Sequence, residues 1–445
     1  MQLSKSLSPV EQRCRPESDD SEGGGPRRAA APVRAAPDRV PAAGVGHIRA
    51  LDGLRGLAIL LVLLRHTSWR MEPTTGASAA IYNLMRTGWV GVDLFFVLSG
   101  FLITGILLDA KGGPHYFRNF YVRRSLRIFP LYYAFLAGAF LVLPLLANDA
   151  AMATLRDSQP WLWTYLTNVL VSIEGPRATP LGMTHLWSLA VEEQFYLVWP
   201  AVVLWCSRRR LVAVCAWMAV AAFAVRLLMV GADGQGDYAG YMLTPARMDA
   251  LGFGALLAVF FRDAAAWERV RRWGGRATAG IAVVLGALVV GHNGLPQFSA
   301  GIQTVGYTLI ALLSAATLAA VLLAPSGGTL RRWFEAGWLR GLGKYSYGIY
   351  VFHYPLLIVV AGHYGFAEVP ELWGSEIPTQ ILLTTAVGLV SFGAAWLSWH
   401  LYEKHFLKLK RFFPMPAPAA AAGAPVAAAD ARGGTRTPTP FGTSS

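Results

Sequence analysis

Apolar runs of membrane-spanning length recur along this chain between short polar connections, and they predict an all-α, polytopic transmembrane helix bundle. Ten spans can be drawn, at about residues 51–69, 88–108, 128–147, 186–206, 211–231, 243–262, 277–292, 302–324, 343–362 and 379–401. A shorter aromatic stretch, Trp161 to Ile173, reads as interfacial or re-entrant. Loop charge tests the drawing, because connections on the cytoplasmic side are enriched in Lys and Arg. With the N-terminus inside, the cytoplasmic connections hold Lys111, Arg118, Arg123, Arg124 and Arg127, then Arg208 to Arg210, then Arg269, Arg271, Arg272 and Arg276, then Arg331, Arg332 and Arg340. The outer connections are mixed, neutral or acidic, as in Asp233 with Asp237, the 292–301 turn, and Glu368, Glu371 and Glu376. Lys404, Lys408, Lys410 and Arg411 follow the last span, so both termini are expected in the cytoplasm.

Composition agrees with that class. Of 445 residues, 54% are hydrophobic and only 15% charged, which is too apolar for one or two soluble domains. The net charge of +13 could suggest nucleic acid, but the positive residues fall in short clusters between apolar runs, so membrane topology explains them and no nucleic-acid partner is expected. Residues 1–46 are rich in Pro, Gly, Ser, Ala and charge and read as a disordered cytoplasmic tail, and 412–445 as a disordered Ala/Pro-rich tail. Neither tail can bury a core, so chemistry belongs to the bundle at 47–411. Cys14, Cys206 and Cys215 make neither a disulfide framework nor a zinc spacing, and no metal site is expected.

The first span carries LDGLRGLAILLVLLRH, in which Arg55 and His66 stand eleven residues apart around an apolar run. Eleven residues make close to three turns, so the two share one face, roughly 16 Å apart along the axis. A charge at the centre of a bilayer costs at least ~2.5 kcal/mol, so both should face protein or a water-filled cavity. The drawn topology puts Asp52 and Arg55 near the inner surface and His66 toward the outer half. Neutral imidazole can take a proton from a hydroxyl near physiological pH, which makes His66 a candidate general base. A structural histidine near a span end is the plainer alternative.

In FYVRRSLRIFPLYY, Arg124 and Arg127 lie three apart on one face at the cytoplasmic mouth of the third span, Arg123 stands beside them, and Pro130 fixes where that helix begins. Guanidinium groups held there suit a phosphorylated ligand, the alternative being a positive-inside anchor. In HLWSLAVEEQFYLVWP, His185 and Glu192 are nearly eclipsed on a helix and Tyr196 lies one turn beyond Glu192. At least one of Glu192 and Glu193 should face a polar cavity. A glutamate there could orient an imidazole, and an ion pair with Arg247 or another intramembrane arginine is its competing use. Asp93, in GVDLFFVLSGFLIT, needs a cationic partner; Arg247 and Asp249, in TPARMDAL, read as structural. His353, in GKYSYGIYVFHYPL, either lines the cavity or makes ordinary hydrogen bonds at a helix end. No Gly-rich phosphate loop, HExxH pair or GxSxG elbow stands in a suitable context, and Ser99 in SGFLITG is not centred between glycines.

Taken in order, these six motifs resemble the acyltransferase family 3 of integral membrane proteins, over about His47 to Tyr402. The resemblance implies transfer of acyl groups, usually acetyl, onto hydroxyls of extracytoplasmic glycans and some small molecules. Arg55 and His66 match the family's arginine, ten residues and histidine; Arg124 and Arg127 match its RxxR pair; Glu192 and Glu193 match its acidic pair. Arg65 departs from the apolar or aromatic residue expected before the histidine. The soluble hydrolase-like domain that some members carry after the bundle is not found, so stand-alone acyltransferases are the expected relatives and the acceptor stays open.

The expected activity is therefore membrane O-acyl transfer, in the cell (inner) membrane, from cytoplasmic acyl-CoA to a hydroxyl of a surface or exported carbohydrate. Acetyl-CoA is the expected donor, used as a substrate with no permanently bound cofactor. Arg124, Arg127 and Arg123 would bind the donor; His66 would be base or transient acyl carrier, with Glu192 or Asp93 orienting it and Arg55 holding the donor or balancing charge. Glu193, Tyr196, His185 and His353 would line the substrate site. The rival reading is a proton-coupled transporter of a small solute or acylated intermediate, which would move solute without needing acyl-CoA.

Overall fold

The computed structural model describes residues 48–68, 71, 76–145, 149–180, 182–230, 236–292, 294–363 and 370–415. Cys14, Trp69, Asp233, Glu368 and both tails, apart from 412–415, lie outside them. Among the described residues the chain is helical with no β-strand. Its first half contains α1 (Arg49–Thr67), α2 (Gly76–Arg86), α3 (Val90–Ala110), α4 (Tyr116–Val142), α5 (Asp149–Trp163), α6 (Thr167–Glu174), α7 (Trp187–Trp205) and α8 (Arg208–Leu228). The second half contains α9 (Tyr238–Met242), α10 (Thr244–Phe261), α11 (Ala264–Gly291), α12 (Tyr307–Leu323), α13 (Thr329–Phe334), α14 (Gly337–His363), α15 (Ile377–Ser398) and α16 (Lys404–Lys408).

Among the described residues, seven helical segments are long and apolar enough to cross a membrane: Gly76–Ala110, Tyr116–Val142, Arg208–Leu228, Tyr238–Phe261, Ala264–Gly291, Ile302–Leu323 and Ile377–Phe412. The remaining three drawn stretches coincide with α1, α7 and α14, whose polar residues Arg55, His66, Glu192, Glu193 and His353 dilute their hydropathy. Large apolar side chains stay exposed around the bundle, among them Leu141, Trp205, Trp217, Val283 and Leu382. Lipid is the solvent that such a belt suits, as expected of a multi-pass membrane protein.

Several boundaries differ from the sequence pattern. α4 starts at Tyr116, twelve residues before the drawn span, and runs through Pro130 instead of beginning there. A proline inside a helix removes one i→i−4 bond, and packed transmembrane helices tolerate that loss. The aromatic stretch is divided by Tyr165, at φ 56°, between the end of α5 and the short α6.

Helix directions follow from side-chain pairings. α1 and α14 run parallel: a Cβ on Gly343 would overlap the Asp52 carbonyl oxygen and one on Gly56 that of Leu339, and further along His66 meets His353. α15 runs against both, with Ala395 near Gly348 and Thr384 bonded to Thr67 at 2.9 Å. α3, α7 and α10 are mutually parallel, through Ser99–Glu192, Trp199–Thr104, Asp93–Arg247 and the close approach of Gly100 to Leu251. α4 and α8 oppose them, as Tyr116 and Tyr121 donate to the carbonyls of Pro200 and Leu197, and Arg208 to that of Arg262.

The basic connections gather at one end. Lys111 donates to the carbonyls of Val203 and Cys206, Arg262 forms a bidentate pair with Asp109 at 2.7 Å, and Asn119 donates to the Pro414 carbonyl. At the opposite end, Trp89 donates to the Leu295 carbonyl and Arg65 to Gln297.

Candidate active site

α1 and α14 come together through glycine, and that closeness places polar side chains over three turns of each helix into a common interior. Nearest the basic end is a hollow of ≈ 500 Å³ walled by Asp52, Arg55, Arg127, Arg340, Lys344 and Trp399. Adjoining it lies a smaller cavity of ≈ 100 Å³, room for several water molecules, lined among others by Arg55, Ser99, Arg124, Arg127, Ser188, Glu192, Tyr196, Tyr347 and Tyr350. Arg55 and Arg127 belong to both walls. Positive charge is therefore concentrated where the two spaces adjoin.

The arginines are held by stacking. Arg124 lies over the Tyr196 ring at 4.7 Å and Arg127 over the Trp399 indole at 5.3 Å, cation–π contacts that help hold both groups in place. Tyr347 donates to the Ile128 carbonyl at 2.7 Å, which pins α14 against α4 beside Arg127. Arg123 points elsewhere: its Nη1 donates to the carbonyls of Lys410 and Phe413, tying the segment after α16 to α4. It is not among the residues lining either cavity.

Neither expected carboxylate touches His66. Glu192 accepts a 2.5 Å hydrogen bond from Ser99 at the wall of the smaller cavity. Glu193 is turned away from that cavity, and its Oε1 finds no hydrogen-bond partner among the described residues. Asp93 is 1% exposed and forms an ion pair with Arg247 at 2.7 Å. Arg247 also lies over Tyr307 at 4.4 Å, and the neighbouring pair Arg226–Asp249 closes at 2.9 Å with Thr308 donating to Asp249. The competing use of Arg247 as a partner for Glu192 or Glu193 is thus taken by Asp93, because α3 packs on α10 all along its length.

His66 instead meets one other candidate, His353, which in turn meets a second, His185. The Nδ1 of His66 is 2.8 Å from Nε2 of His353, the His66 ring packs on Tyr354 at 4.6 Å between centroids, and His185 lies against His353 at 5.2 Å. His185 and His353 are buried at 2% and 1% exposure. Tyr350 connects this imidazole cluster to the cavity: its hydroxyl donates to the His185 carbonyl at 2.6 Å and accepts from Ser188 at 2.5 Å. Arg65, at the cluster's edge, reaches Gln297 at 3.3 Å.

The structure so brings together Arg55, Arg124, Arg127, Glu192 and Tyr196 around one cavity, and His66, His185 and His353 beyond it. Ser188, Ser99, Arg340 and Lys344 were not singled out by their motifs as site residues. Ser188 had a readable signal, standing one turn before Glu192 on the same face. Arg340 and Lys344 had the same i, i+4 relation at the head of α14, but resembled an ordinary inner anchor.

An arginine-lined cavity thus stands toward one end of α1 and a cluster of imidazoles at the other. The chain is 30% identical over 380 residues to "Putative peptidoglycan O-acetyltransferase YrhL" of Bacillus subtilis, covering 80% of this chain and 54% of that relative. It is 27% identical over 365 residues to "Peptidoglycan O-acetyltransferase OatA" of Listeria monocytogenes, covering 78% of this chain and 54% of the relative. The chain thus spans about half the length of these curated relatives, which are longer than the stand-alone kind expected from the sequence. No solved structure matches it. The family model described as an acyltransferase domain matches residues 48–400, through every helix that builds the site, and the chain accordingly belongs to the acyltransferase family 3.

Proposed function

We propose that this protein is a membrane O-acyltransferase that moves an acyl group, with acetyl the expected one, from cytoplasmic acyl-CoA to a hydroxyl of a cell-surface or exported carbohydrate. The observation that carries this reading is the common wall formed by Arg55 and Arg127 between a basic hollow and a smaller cavity, with Arg55 on the helix that carries His66 near its other end. The hollow suits the phosphates of the donor, with Arg340 and Lys344 adding charge beside Arg127. The slender thioester arm would enter between the guanidinium groups. At the far end His66 would take the proton of the acceptor hydroxyl as its oxygen bonds to the thioester carbonyl carbon. The C–S bond then breaks, and the departing thiolate takes that proton back from the imidazolium. An acyl-imidazole at His66 is the alternative course of the same reaction.

The reading rests on ten spans with both termini in the cytoplasm of a cell (inner) membrane. Helices at odd positions in the drawn order run against those at even positions wherever pairings define direction, and the basic connections share one end. Peptidoglycan is the acceptor named for the two relatives, which makes a glycan of the cell envelope the first acceptor to try.

Purified protein in vesicles, supplied with labelled acetyl-CoA and a soluble glycan fragment, should transfer label. His66→Ala should abolish transfer at unchanged protein level. Arg127→Ala should raise the donor KM roughly tenfold, as the loss of a hydrogen bond to a charged group implies. Uptake of unmodified solute with no dependence on acetyl-CoA would sink the assignment and favour a transporter.

A further inference from the structure

We infer that His353 is a positioning residue that locks His66 in the tautomer whose Nε2 carries the free lone pair, and so fixes which atom of His66 takes the acceptor's proton. The inference rests on the proposed transferase reading for its role, but its geometry stands apart from it. His353 Nδ1 lies 2.7 Å from the Tyr350 carbonyl oxygen and 3.1 Å from that of Ile349. A carbonyl oxygen can only accept, so Nδ1 of His353 must carry a hydrogen; the opposite tautomer would press a nitrogen lone pair against two oxygens. In neutral His353 the lone pair therefore sits on Nε2. That atom faces His66 Nδ1 at 2.8 Å, so His66 must supply the hydrogen of this bond. The proton of neutral His66 is thereby placed on Nδ1 and its lone pair on Nε2.

The partner's chemistry fits the site. A carboxylate would set the same tautomer, as in an acid–base–nucleophile triad, but would add a charge to an apolar bundle. Imidazole does so while neutral. When His66 becomes an imidazolium, its Nδ1–H bond to His353 turns charge-assisted, and the carbonyls behind His353 support the positive charge. The second imidazole against this pair is pinned in the same way: His185 Nδ1 is 2.8 Å from the Gly182 carbonyl oxygen. The glycine contact between α1 and α14 supplies the closeness that the His66–His353 bond needs.

The test uses full-length protein labelled with 15N-histidine in lipid nanodiscs, with the His66 signals assigned by their loss in His66→Gln. Nitrogen shifts should report protonated Nδ1 and unprotonated Nε2 in wild type, and a move toward the Nε2–H form in His353→Ala. In the acetyl-transfer assay His353→Ala should lose roughly 10²–10⁴-fold in kcat, the upper figure being the loss seen when a triad base adopts the wrong tautomer, with the donor KM within about twofold. In His353→Gln the amide oxygen replaces Nε2 as acceptor, and at least about tenfold of the lost kcat should return. Nε2-protonated His66 in wild type overturns the inference, and that measurement needs no folded variant. Full kcat in His353→Ala, or glutamine no better than alanine, overturns it as well. Absence of any acyl transfer by wild type, with the tautomer as described, would instead refute the transferase reading alone.

Discussion

At the scale of single residues, the bundle separates two kinds of buried charge. Asp93 and Arg247 neutralise one another away from the cavities, whereas Arg55, Arg124 and Arg127 line them. Removing one member of a buried pair leaves the other uncompensated, at a cost of about 3–5 kcal/mol. Asp93→Ala should therefore lower the thermal unfolding midpoint in detergent markedly, and Asp93→Leu combined with Arg247→Met should recover most of it. If Asp93→Ala is as stable as wild type but inactive, Asp93 belongs to the chemistry instead. Sequence spacing placed Arg55 with His66 and Glu192 with Tyr196 on common faces, and the structure agrees. It could not choose partners between helices. Whether Asp93 meets His66 or Arg247 is decided by which helix α3 packs on, and 154 residues separate it from Arg247 in the chain.

At the scale of elements, apolar length made nearly every span legible, while polar interruptions and helix ends were harder to read. The drawn starts at 128 and 277 fall inside α4 and α11, because both helices extend through basic segments that hydropathy counts as loop. Backbone hydrogen bonding does not require an apolar side chain. The α1–α14 contact was also invisible to hydropathy, since it is made by the absence of side chains at Gly56 and Gly343. Gly343→Ala should force the two helices apart and cost about 1–3 kcal/mol, the usual penalty of overpacking. It should also reduce acetyl transfer by lengthening the His66–His353 bond. Gly393→Ala, on α15 with nothing near its added methyl and outside both cavities, should leave both unchanged. Equal thermal shifts in the two variants would show that the glycine contact does not set helix spacing.

At the scale of the whole molecule, the alternation of basic and non-basic ends makes a labelling prediction. In a background with Cys14, Cys206 and Cys215 replaced by serine, Lys404→Cys should react with a membrane-impermeant maleimide only in inside-out vesicles, and Gln297→Cys only in right-side-out ones. Reaction of both in the same vesicles would break the ten-span arrangement. The wall shared by Arg55 and Arg127 has one further consequence. A polar interior in a membrane bundle is also a hazard, because water in it could short-circuit the ion gradients the cell maintains. Two fixed guanidinium charges at the narrows repel hydronium and metal cations while attracting a polyanion, as positive charge does in water-selective pores. The residues proposed to admit the donor would therefore also insulate the membrane.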